Sequence, residues 1–163
     1  MKTLLISAGH SVKDPGAGGN GLREADVVTE LRNIVSFYLT RNNIAHTVDA
    51  DSLTKNLPLA TAIKLARNHD IAVEFHCNAS SEPRATGVET LGGKGTLDLG
   101  SALCKAIAEV LGIKNRGAKS EASGQHSRLG FVRAGGLIVE LFFITNPKDV
   151  AVYQAKKWLV GRA

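Results

Sequence analysis

Apolar residues fall along this chain in two rhythms. Leu4-Leu5-Ile6 with Ala8, and Ile71-Ala72-Val73-Glu74-Phe75, are short apolar runs that predict strands. By contrast, Val27, Val28, Leu31, Ile34, Val35, Tyr38 and Leu39 recur at three- and four-residue spacing, which predicts a helix over 26–39 with one buried stripe. Leu59, Ala62, Ile63 and Ala66 repeat that spacing over 58–68, with Pro58 suited to the first turn. Leu99, Leu103, Ala106, Ile107, Val110 and Leu111 mark a third helix, stopped by Gly112. Further strands are predicted over 44–48, 87–91, 129–132 and 137–141, the last nearly all apolar and therefore central. A turn is predicted at Asp49-Ala50-Asp51-Ser52. Residues 115–127, polar and glycine-containing, are predicted to form a surface loop with a short strand near 117–119. Asn146-Pro147 opens a last helix, whose Val150, Val152, Tyr153, Trp158 and Leu159 are expected to dock the C-terminus. Strands alternating with helices predict an α/β fold with a central, mostly parallel or mixed β-sheet flanked by helices on both faces. At 163 residues the chain fits a single domain, with no second module expected.

Composition narrows the classes. Hydrophobic residues make up 44% and charged residues 21%, values ordinary for a soluble globular protein. The apolar runs fall far short of a membrane span, and the stretch after Met1-Lys2-Thr3 is too short for a secretory signal. A net charge of +5 favours anionic partners. The Lys and Arg residues are scattered without aromatic interleaving, so nucleic acid is not expected and a polyanionic envelope suits the charge. Cys77 and Cys104 lack CxxC spacing and read as small apolar fillers.

Candidate chemistry gathers where the predicted strands run out. His10 closes the first run, His76 closes the second, and Glu24 opens the helix at 26–39. If the two runs are neighbouring parallel strands, the three side chains emerge along one carboxyl edge, where open α/β sheets bind ligands. Two imidazoles and a carboxylate leave a fourth zinc position open, the composition of a catalytic site. Taken singly, each histidine also reads as a hydrogen-bonded surface residue and Glu24 as a first-turn acid that complements the helix dipole; only the set decides. Gly16-Ala17-Gly18-Gly19-Asn20-Gly21 matches GxGxxG, but His10 through Pro15 separate it from the strand, so it reads as a loop between two ligands and not as a nucleotide fingerprint. Ser11 has no surrounding nucleophile elbow. His46 and His69 read as structural or solvated.

Four blocks in order carry a resemblance: Ile6-Ser7-Ala8-Gly9-His10 with Asp14-Pro15-Gly16-Ala17 and Glu24; Phe75-His76-Cys77-Asn78-Ala79; Val139-Glu140; and Thr145-Asn146. Together they resemble the zinc-dependent N-acetylmuramoyl-L-alanine amidases, cell-wall hydrolases of bacteria and of phage lysis systems. Gly87-Val88-Glu89 and Asn115-Arg116-Gly117 look like lesser family positions. The resemblance implies a zinc-exopeptidase-like fold, one Zn(2+) per chain held by His10, Glu24 and His76, and a catalytic glutamate at Glu140. Glu140, ending an apolar strand, is expected to be partly desolvated and raised in pKa, with Glu89 as the competing acid or base. Asn78 is a candidate for orienting His76 or the substrate amide, Arg116 for pairing with a substrate carboxylate, and His126, beside Gln125, Ser127 and Arg128, for contacting the stem peptide. Bulky Leu141-Phe142-Phe143 after Glu140 are expected to reshape the pocket floor.

The function implied is cleavage of the amide between N-acetylmuramic acid and L-alanine of peptidoglycan, by a monomeric phage or prophage endolysin. It would be made in the host cytoplasm and act on the wall after membrane permeabilisation. Two alternatives stay open: a zinc peptidase or other amide hydrolase on the same fold, and a catalytically silent muropeptide-binding module.

Overall fold

The computed structural model describes residues 2–11, 13–49, 59–121 and 129–163. The chain begins with β1 (Leu4–Ala8), makes a small hairpin of β2 (Gly18–Gly19) and β3 (Leu22–Arg23), and enters α1 (Glu24–Arg41). It continues through β4 (Thr47–Val48), α2 (Leu59–Ala66), β5 (Ile71–Asn78), β6 (Val88–Gly92) and α3 (Leu97–Leu111), then β7 (Asn115–Ser120), α4 (Gly130–Arg133), β8 (Leu137–Phe143) and α5 (Pro147–Arg162). Among the described residues, six strands form one sheet in the order β4-β1-β5-β8-β6-β7. Its pairs are parallel except β6 against β8, so the sheet is mixed as expected.

Strand side chains alternate between two unequal layers. Ile6, Ala8, Val73, Phe75, Cys77, Val139 and Leu141 pack with α1, α3 and α5 around Val28, Leu31, Cys104 and Tyr153. Leu5, Ala72, Leu91 and Ile138 on the other face pack with Ala62 and Ala66 of α2 and with Phe131 and Val132 of α4. Ser7, Glu74, His76 and Glu140 share the parity of this second face.

Helix ends obey local chemistry. Gly112 closes α3 at φ 70, a left-handed conformation that costs glycine little, and its N–H donates to the Ala108 carbonyl. The Asn146 side chain caps α5 by accepting from the Lys148 and Asp149 amides, with Pro147 in the first turn. No helix among the described residues is long and apolar enough to cross a membrane.

Several expectations change. The short strand expected near 117–119 extends over 115–120 as edge strand β7; it pairs only with β6 and shows no apolar alternation, so its length was not legible. Residues 130–133 form α4 where a strand over 129–132 was expected, because three apolar residues around Gly130 carry no readable period. The strand over 44–48 contracts to Thr47–Val48, with Ile44 exposed. β5 and β8 outrun their predicted ends, and His76 thereby lies within a strand, as Glu140 does. On α5, Val150 and Tyr153 are buried as expected. Trp158 and Leu159 are 50% and 52% exposed, and Val160 and Gly161 are buried in their place. The turn beyond Asp49, Pro58 and His126 lie outside the described residues.

Candidate metal centre

β1 and β5 are parallel neighbours in register Ala8 with Phe75, so their carboxyl ends are level. Immediately after β1, Gly9 donates its N–H to the Phe75 carbonyl at 2.9 Å, and His10 adopts φ 65. A left-handed histidine is strained, and such strain concentrates at functional positions. Two glycines make the packing possible. A Cβ on Gly9 would collide with the His76 ring, and one on Gly16, itself at φ 68, would collide with the Glu24 carboxylate and the His10 ring. The glycine loop is therefore part of the site's wall, and its Gly18 and Gly19 pair with Arg23 and Leu22 to set the start of α1.

Glu24, the first residue of α1, sits between the two imidazoles. Its Oε1 lies 3.1 Å from His10 Nε2 and 3.1 Å from His76 Nδ1. The carboxylate is fixed by two backbone donors, Cys77 N–H to Oε1 at 2.9 Å and Ala17 N–H to Oε2 at 2.8 Å. One donor atom each from His10, Glu24 and His76 lies within 4.8 Å of the others. The outer nitrogen of each ring also meets a carboxylate: His10 Nδ1 to Asp14 Oδ2 at 3.1 Å, and His76 Nε2 to Glu74 Oε1 at 3.0 Å. Carboxylates behind ligating histidines fix ring orientation and tautomer. Sequence reasoning assigned Glu74 no role; its available signal was a carboxylate inside an apolar strand, two residues from His76 and so on the same face.

Electrostatics agree with a cation site. Burial alone would raise Glu24, but the bonds from His10 and His76 overcome it and hold the carboxyl far below its usual range. The Glu24 bond raises His10 against the effect of burial. His76 is lowered by burial, yet Glu24 and Glu74 lift it well above the usual histidine value. A pocket that holds protons between imidazole and carboxylate offers the nitrogen and oxygen donors that a zinc ion would take.

Across the sheet, His76 is in register with Glu140 of β8, which is in register with Glu89 of β6. Glu140 borders the cavity, but its Oε2 is buried and has no hydrogen-bond partner among the described residues. Burial pushes its pKa up to about 7. Burial would also raise Glu89, but Lys119 and Arg116 outweigh it and keep that carboxyl below the ordinary value. Arg116 Nε and Lys119 Nζ donate to Glu89 Oε2 at 2.7 and 2.5 Å, and Asn78 Nδ2 donates to Oε1 at 2.9 Å. Asn78 thus bonds Glu89 and not His76, and Arg116 is engaged by Glu89 while lying over the Phe143 ring at 5.1 Å.

The cavity measures about 830 Å³, and its lining includes Leu59, Leu91, Leu129, Phe131 and Ile138 besides the titratable residues. Leu141, Phe142 and Phe143 do not line it, contrary to expectation: Phe142 stacks on Tyr153 in the core, with ring centroids 4.6 Å apart. Cys77 and Cys104 are buried free thiols. His46 bonds Ser36 and the Ile44 carbonyl, and His69 bonds Thr47 and the Leu65 carbonyl, the structural roles expected of them.

Residues 4–163 match the N-acetylmuramoyl-L-alanine amidase family. A Neisseria meningitidis protein assigned to the N-acetylmuramoyl-L-alanine amidases shares the fold at TM-score 0.89 and 41% identity, over 99% of this chain and 90% of that one. Protein YqiI of Bacillus subtilis is 31% identical over 91% of this chain and 73% of its own length. An endolysin of Bacillus phage SPP1 is 29% identical over 97% of this chain and 60% of its own length, so the chain spans less than two thirds of that relative. A match running from the first strand to the last residue, on a sheet whose carboxyl edge gathers the same ordered blocks, places this chain in the N-acetylmuramoyl-L-alanine amidase family.

Proposed function

We propose that the chain is a zinc-dependent hydrolase that cuts the amide between the lactyl group of N-acetylmuramic acid and L-alanine in peptidoglycan, with one zinc ion per chain. The observation that carries this reading is Glu140. A buried carboxylate oxygen without a partner among the described residues, at a pKa of about 7, stands in register with His76 in the cavity that holds the His10, Glu24 and His76 donors.

His10 Nε2, Glu24 Oε1 and His76 Nδ1 are the atoms that would hold the ion. When bound, zinc supplies Lewis acidity that acidifies water and polarises a carbonyl. Glu140 takes the proton of the attacking water and returns it to the leaving alanine nitrogen, and a pKa close to neutrality serves both transfers. Glu89, Arg116, Lys119 and Asn78 form a bonded group beside it that keeps Glu89 ionised and out of proton transfer.

Similarity to a phage endolysin and the net charge of +5 support a role as a lysis enzyme drawn to an anionic wall. The test is reconstitution: protein stripped with a chelator should lose turnover of purified sacculi and regain it with one equivalent of zinc. Undiminished turnover after complete stripping would rule the reading out.

A further inference from the structure

We propose that Glu74 is a positioning residue for the metal centre, acting through His76, and that a buried chain of polar side chains anchored on α1 holds it in place. The inference rests on the zinc reading above. An imidazole can ligate through either nitrogen and can rotate about its ring axis, so something must decide which nitrogen faces the ion. Here Nδ1 faces Glu24 while Nε2 lies 3.0 Å from Glu74 Oε1. A carboxylate that accepts the Nε2 proton leaves the Nδ1 lone pair for metal.

Glu74 is in turn fixed from behind. Its Oε2 lies 3.0 Å from the Ser7 hydroxyl, which lies 3.0 Å from Asp49 Oδ2. The Ala8 N–H also donates to Asp49 Oδ2 at 3.3 Å, and Arg32 donates to Oδ1 at 2.6 Å. Arg32, Asp49, Ser7 and Glu74 are all buried, and the single Ser7 hydroxyl proton is shared between the Glu74 and Asp49 oxygens, so water is a poor substitute for this contact. The line crosses three elements: Arg32 on α1, Ser7 on β1 and Glu74 on β5, with Asp49 just past β4. It ties the ring of one candidate ligand to the helix that carries another, Glu24. His10 is held differently, since the Asp14 side chain behind it is 68% exposed and that of Glu74 only 3%. An exposed carboxylate is screened and holds its partner weakly, so the two histidines depend unequally on the groups behind them.

The test compares wild type, Glu74→Ala, Glu74→Gln, Ser7→Ala and Asp14→Ala. Zinc affinity is read by competition with a chromophoric chelator, and the His76 ring nitrogens by 15N NMR of the zinc-loaded proteins. Glu74→Ala is expected to weaken zinc about 10- to 100-fold and to disturb the His76 ring signals, because loss of such a partner costs affinity on that scale. Glu74→Gln, whose amide oxygen still accepts from Nε2–H, should recover most of the affinity. Asp14→Ala should change it by less than roughly threefold. Should Glu74→Ala fail to fold, Ser7→Ala and Glu74→Gln carry the test, with Ser7→Ala expected to weaken zinc several-fold. Wild-type affinity and unchanged ring signals in folded Glu74→Ala, or in Ser7→Ala where Glu74→Ala does not fold, would overturn the proposal and leave the zinc reading standing. A wild-type protein that binds no zinc would overturn both.

Discussion

Glu140 and Glu89 face each other across antiparallel β8 and β6, and the fold shifts the two carboxyls in opposite directions from their ordinary value. Glu140 has a buried oxygen with no partner among the described residues and a pKa of about 7, while Glu89 is clamped by Lys119 and Arg116 and stays low. Pairs of titratable groups pushed apart in this way mark which one moves protons.

Replacing the two residues should therefore separate them. Glu140→Gln is expected to lower turnover of purified peptidoglycan by about 10²- to 10⁴-fold with zinc stoichiometry unchanged. Glu89→Gln keeps a side chain of similar shape and is expected to cost less than about tenfold, the two cations being near enough to solvent to be hydrated. A Glu89→Gln loss equal to that of Glu140→Gln would transfer the proton-moving role to Glu89.

The same buried carboxyl makes stability depend on pH. The Glu140 pKa of about 7 lies above the ordinary 4.5, so protonation favours the folded state. Its contribution is full below about pH 4.5 and is lost as pH rises through about 7. The gap corresponds to at most about 3 kcal/mol. Metal-free Glu140→Gln should gain stability over metal-free wild type between pH 5 and pH 8 by up to this amount. Urea unfolding at the two pH values reads it, and a constant difference between the proteins would show that Glu140 does not titrate in that window.

Gly16 is expected to tolerate no side chain. Its φ of 68 and its contact with the Glu24 carboxylate and the His10 ring mean that Gly16→Ala must displace a candidate ligand. Zinc affinity should fall at least about tenfold, on the scale of losses seen when ligand orientation is disturbed. Gly21→Ala, at φ 79 with nothing within 4 Å, shares the backbone cost without touching the site and should leave zinc affinity unchanged. Equal zinc affinity in the two variants would contradict this packing.

Tyr153 offers a purely structural check. Its ring stacks on Phe142 in the core, and its hydroxyl is buried with no hydrogen-bond partner among the described residues. Tyr153→Phe removes an unsatisfied polar atom and keeps the stacking, so it is expected to raise stability by about 1 kcal/mol. A loss of that size in urea unfolding would mean that the hydroxyl is bonded in solution.

What the sequence made legible follows from range. The period of α1 and the apolar runs of β1 and β5 are local, and His10, Glu24 and His76 were visible because they sit at or beside the ends of such segments. The full length of β7 escaped because a polar edge strand has no apolar rhythm, and α4 because so short a segment as Leu129-Gly130-Phe131-Val132 fits helix and strand alike. The bonding of Glu89 to Asn78, Arg116 and Lys119 depends on the register of β6 with β7 and on the place of β5 in the sheet, which no window of sequence contains. Glu74 escaped for a similar reason. Its partners Ser7 and Asp49 are 67 and 42 residues away from Glu74 and from Ser7 respectively, and they meet only once the sheet is assembled.

The most direct test of the central claim is to digest purified sacculi with the zinc-loaded protein and identify the new ends by mass spectrometry and amino-terminal labelling. Cleavage of the muramoyl–alanine amide leaves free amino-terminal L-alanine on the stem peptide, an intact lactyl acid on the sugar and no new reducing ends, in step with zinc occupancy. New reducing ends, or a new amino terminus other than alanine, would contradict it.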